Sequence, residues 1–116
     1  MRPAALFIIT GDPRNTPRPA EAVRIAAGVG AWKKVAVTIY LRDAAVLALS
    51  EHADELADGD NFRRFLPLAA ESGALICAQR GASWLEEIGQ APVAFCQISD
   101  DELAALALEN DYVLRF

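Results

Sequence analysis

A chain of 116 residues, 53% of them apolar, has room for one domain (1-116) with a real core and no room for a second. Its formal charge of -5 gives no general attraction to nucleic acid or to an anionic membrane, and no apolar run approaches the roughly 20 residues of a membrane-crossing helix. Two cysteines and one histidine fall short of a four-ligand structural zinc site, so no structural metal is expected, and the thiols are expected to be reduced in a soluble, cytoplasmic protein.

Ala4 to Thr10 is a short apolar run stopped by Gly11-Asp12-Pro13, which predicts a buried first strand and a turn. After a loop over Arg14 to Pro19, Ala22, Val23, Ala26, Ala27 and Gly30 recur at helical spacing, with Pro19 in the first turn and an end near Gly28 or Gly30. Val35 to Leu41 predicts the second strand, and Ala44 to Glu51 a helix. Glu51 to Asn61 is polar and reads as a loop or a partly helical connection, and its acidic side chains Glu51, Asp54, Glu55, Asp58 and Asp60 suit a solvated face. Phe62, Phe65, Leu66 and Ala69 restore a helical period that ends at Ser72-Gly73.

The third strand is predicted over Ala74 to Ala78, followed by a brief helix from Ser83 to Ile88 that Gly89 terminates, and the fourth over Pro92 to Gln97. Ser99 ahead of Asp100, Asp101 and Glu102 is a cap and an acidic first turn for a helix carrying Leu103, Leu106 and Ala107. Asp111 to Phe116 predicts a fifth strand. Strands alternating with helices throughout indicate an α/β fold: a single three-layer α/β/α domain around a mostly parallel sheet of about five strands.

Sites on such sheets form where strands end at their carboxyl side, which directs attention to Gly11 to Thr16, Arg42-Asp43, Cys77 to Gly81 and Cys96 to Asp100. Cys77 has Gln79 and Arg80 as donors and Gly81 to leave backbone amides open, a setting that favours a thiolate and can hold an anionic sulfur group. Against this, Cys77 can equally be a small core hydrophobe and Arg80 a solvated charge. His52 offers a proton donor or acceptor near neutral pH, or only an exposed polar side chain. Gly11-Asp12-Pro13 lacks the glycine and lysine spacing of a nucleotide loop, although Asp12 and Asn15 remain candidates for binding a small ligand.

Several segments in order carry a family resemblance: Ala5 to Thr10 with its Gly-Asp-Pro turn, the Glu21 to Gly30 helix, Val35 to Leu41 leading into Asp43-Ala44-Ala45-Val46, Ser72 to Cys77, and Asn110 to Phe116. Together they make the chain resemble the DsrE/DsrF-like superfamily of small sulfur-relay proteins. The resemblance implies a three-layer fold, assembly as a trimer or hexamer, and a cysteine after the third strand that accepts persulfide sulfur from one protein and passes it to another. Cys77 matches that position, and Arg80-Gly81 matches an Arg-Gly that follows it in relatives. The second cysteine that some relatives carry shortly afterwards is absent from Ala78 to Gly81, which leaves Cys96 as a candidate resolving thiol.

The function expected from these readings is a sulfur relay through Cys77, with Arg80, Gly81, Asp12 and Asn15 as substrate-binding candidates and protein thiols as donor and acceptor. Two readings compete with it. One is a non-catalytic subunit of an oligomeric assembly with an inert, enclosed Cys77. The other is a small-ligand or nucleotide sensor, for which backbone amides should converge beside Asp12 and Asn15.

Overall fold

The computed structural model describes residues 2–116, which form one five-stranded, all-parallel sheet with helices on both faces. The strands are β1 (Ala4–Ile9), β2 (Ala36–Leu41), β3 (Leu75–Gln79), β4 (Cys96–Ile98) and β5 (Tyr112–Arg115), in the spatial order β4-β3-β2-β1-β5. The α-helices are α1 (Arg18–Ala31), α2 (Asp60–Glu71) and α3 (Asp100–Glu109). Among the described residues no helix is long and apolar enough to cross a membrane.

The period-two alternation of the strands divides the core in two. Phe7, Ile9, Val37, Ile39, Leu41 and Ile76 face α1 and α2, where Val23, Ala26, Phe62, Leu66 and Ala69 meet them. Small side chains let α1 approach the sheet closely: a Cβ added at Gly30 would already lie 3.7 Å from a Val37 methyl. Leu6, Ile8, Tyr40 and Cys77 point the other way and are covered by Leu103, Leu106 and Ala107 of α3. Central strands buried on both faces explain why their sequences read as nearly unbroken apolar runs.

The expected elements are present, with three differences. Asp43–Leu49, expected as an α-helix, is wound as a 3₁₀ segment, as are Ala53–Glu55 in the polar connection and Ser83–Glu87 after β3. Ala44 to Leu49 are all buried, so the first of these has no solvent face, and short 3₁₀ pieces commonly serve as such connectors. The fourth strand pairs only from Cys96, not from Pro92: Pro92 has no N–H to give a ladder, and Ala91, Val93 and Phe95 use their apolar side chains against the core instead. The first helix runs through both glycines to Ala31.

The start of α3 follows the sequence closely. Glu102 N–H donates to the Ser99 hydroxyl at 3.1 Å, and Ser99 N–H donates to the Glu102 carboxylate at 3.0 Å, a reciprocal capping box. It fixes where α3 leaves β4 before the helix crosses towards β5 at the far edge.

Candidate functional site: a stacked pair of thiols

On the α3 face, Tyr40 of β2 is in register with Cys77 of β3, and Cys77 with Cys96 of β4. Adjacent strands lie about 4.8 Å apart, so opposed side chains on one face touch. The two sulfurs are 3.0 Å apart, within hydrogen-bonding distance for thiols, and both cysteines are free.

Their surroundings differ sharply. Cys77 is 1% exposed, beneath α3, whereas Cys96 on the short edge strand is exposed. Burial first, then the hydrogen bond with Cys96 and the negative charges of Cys96 and Glu102, push the Cys77 thiol up to about 12. A group in that position is a thiol at neutral pH, and no outside protein reaches it directly. The sequence assigns the relay role to Cys77 and a resolving role to Cys96 and leaves their accessibility open; in the structure Cys96 is the accessible one, because β4 is an edge strand and β3 is not.

Charged side chains surround the pair. Arg42, at the end of β2, donates to the Tyr40 hydroxyl at 3.2 Å and to Asp100 at 2.8 Å, joining the sheet to the first turn of α3. The hydrogen-bonded Asp100 carboxylate raises the Arg42 pKa, and the guanidinium in turn holds the Asp100 carboxyl below its usual range. Tyr40 itself is fully buried and its phenol is shifted upward by that burial. Gln79 accepts the Asp43 N–H at 2.9 Å, which ties the end of β3 to the end of β2.

The substrate-binding candidates are engaged within the fold. Arg80 donates to the Gln97 carbonyl at 3.1 Å and pairs with Glu102 at 3.0 Å, so its charge faces a carboxylate. Gly81 has φ +78, the left-handed conformation its turn requires, and its neighbour Ala82 gives its N–H to Gln79. Asp12 takes two side-chain bonds from Arg14, at 3.0 and 2.7 Å, and one from Asn15 at 3.3 Å. The amides of Arg14, Asn15 and Thr16 all donate back to Asp12, so the amides expected for a ligand sensor close this turn on itself. His52 is exposed and lies 3.4 Å from Glu51, forming no pair with either cysteine. Among the described residues no group of three or more His, Cys, Asp or Glu side chains is placed to hold a metal.

Arg42 and Asp100 fall in the strand-end loops to which the sequence directs attention, whereas Tyr40 and Glu102 are not singled out there as parts of a site. For Tyr40 a signal existed, since alternation along β2 puts it on the face opposite Ile39 and Leu41.

No protein-family model and no curated protein matches the chain. Among solved structures, the crystal structure of the ychN protein from E. coli is similar over 100% of both chains, with a TM-score of 0.80 at 18% sequence identity. At that identity the likeness is one of fold, the three-layer α/β/α arrangement around a parallel five-stranded sheet that the alternation of strands and helices predicts.

Proposed function

We propose that this protein is a carrier of persulfide sulfur in which Cys96 accepts and hands on the sulfur and Cys77 stands behind it. The observation that carries this reading is the pair of free sulfurs 3.0 Å apart on neighbouring strands, Cys77 in the middle of β3 and Cys96 at the start of β4, one exposed and one enclosed. A relay thiol must be reached by a donor and then by an acceptor, a condition met by Cys96 and not by Cys77. The chemistry is thiol exchange: the Cys96 thiolate takes the outer sulfur of a donor persulfide, and an acceptor thiolate then attacks the outer sulfur now held on Cys96. Neither step calls for a metal or organic cofactor.

Carriers work against protein partners, and a second feature supports assembly. β5 is an edge strand whose Tyr112, Val113 and Leu114 are exposed, beside an apolar groove of about 470 Å³ that includes Phe7, Ile25 and Val29. Unpaired apolar edges favour association, so the carrier is proposed to work as a homo-oligomer, its donor and acceptor being other proteins.

The test is a transfer assay. Reduced protein is incubated with glutathione persulfide, freed of small molecules, and offered a second thiol protein. The reading predicts that the acceptor gains about 32 Da, one sulfur atom, and that Cys96→Ser abolishes the transfer. Equal transfer by the Cys96→Ser chain would overturn the assignment.

A further inference from the structure

Resting on the carrier reading, we propose a further activity: Cys77 discharges sulfur held on Cys96 as hydrogen sulfide, leaving a Cys77–Cys96 disulfide that an external dithiol must reduce. Cys77 can reach only one of the two sulfurs of a Cys96 persulfide. Its Sγ lies against the Sγ of Cys96, which becomes the inner sulfur of a Cys96 persulfide. Attack on the outer sulfur passes a persulfide onward, whereas attack on the inner one expels the outer sulfur.

The Cys77 S–H bond and the bond from Cys96 Sγ to the outer sulfur break, and a Cys77–Cys96 S–S bond forms. The outer sulfur takes two electrons from the thiol pair and leaves with the Cys77 proton as hydrogen sulfide. A dithiol then resets the site by ordinary exchange, itself ending as a disulfide.

The backbone accommodates the product. Cys77 and Cys96 are register partners on neighbouring strands, and the usual strand separation of about 4.8 Å lies inside the roughly 4.4–6.8 Å range of Cα distances that disulfides span. Burial slows the reaction by keeping Cys77 protonated, while fixed contact speeds it, since well-oriented intramolecular partners reach effective concentrations of about 10⁵–10⁸ M. The result is a timer: sulfur on Cys96 is available to an acceptor first and is lost as sulfide when none arrives. Tyr40 on the neighbouring strand and the apolar side chains of Ile98, Leu103, Leu106 and Ala107 enclose the inner thiol.

The experiment uses the whole reduced chain under nitrogen, loaded with glutathione persulfide and desalted. Protein mass, free sulfide by the methylene blue reaction, and non-reduced peptide maps are then followed with time. Wild type should lose its adduct of about 32 Da, finish about 2 Da below the reduced chain, yield about one sulfide per adduct, and show Cys77 and Cys96 peptides linked. Cys77→Ala should hold the adduct at least about tenfold longer. Should wild type keep its adduct as long as Cys77→Ala, with no linked peptide, the discharge step is wrong and the carrier reading stands. Should neither chain take up sulfur on Cys96, the carrier reading fails and the discharge step with it.

Discussion

Arg42 joins Tyr40 to Asp100: one guanidinium nitrogen donates to the buried phenol of β2 at 3.2 Å and to the first-turn carboxylate of α3 at 2.8 Å. Because α3 is the cover over Cys77, this link governs how tightly the inner thiol is closed off. Replacing Arg42 by Met should leave the Tyr40 hydroxyl without this donor and loosen the start of α3. In a Cys96→Ala background, labelling of Cys77 by a thiol reagent is expected to accelerate several-fold while far-ultraviolet dichroism stays native. An unchanged rate would mean that exposure of Cys77 does not pass through α3.

The capping box makes a second handle on the same cover. Ser99→Ala removes the acceptor for the Glu102 N–H and should cost about 0.5–2 kcal/mol in urea unfolding. Ser99→Asp, which keeps an acceptor, should recover most of the loss.

The inner thiol also predicts a pH dependence of stability. Folding raises the Cys77 pKa from an ordinary 9.0 to about 12, so the folded chain holds a proton that the unfolded chain has released between those values. Its contribution is fully present below pH 9 and is lost as pH rises towards 12, at about 1.4 kcal/mol per pH unit. Relative to Cys77→Ala, the wild type should lose about 2 kcal/mol between pH 8 and pH 10.5, read from urea midpoints. A difference that grows with pH would contradict the burial argument.

How much of this was legible in the sequence follows from the kind of signal each element carries. β1 and β2 were visible because burial on both faces produces continuous apolar runs, and α3 because Ser99 and Glu102 announce a cap. β4 was misplaced by several residues because Ala91 to Phe95 is apolar for packing and not for pairing, a distinction that composition does not encode. The two cysteines are expected at carboxyl ends of strands, whereas Cys77 lies in the middle of β3 and Cys96 opens β4, and their ranking depends on strand order. Only with β4 at the edge and β3 inside it does Cys96 become the exposed thiol and Cys77 the enclosed one. Likewise Arg80 reads as a free charge until α3 brings Glu102 to it.

The exposed edge of β5 carries its own expectation. Tyr112→Lys combined with Leu114→Lys places two charges on that edge, one of them opposite Phe7 of β1 in the register. If β5 is a contact between copies, light scattering on an eluting peak should report a larger species for the wild type and a single chain for the variant. A wild type that already runs as a single chain at high concentration would remove the assembly proposal.

The account turns on which thiol takes the sulfur, and intact mass after exposure to glutathione persulfide decides it most directly. Cys77→Ala should gain about 32 Da, reversible by dithiothreitol, and Cys96→Ser should gain nothing. Sulfur appearing on Cys77 in a folded Cys96→Ser chain would contradict the account, because it would show that the enclosed thiol is open to donors after all.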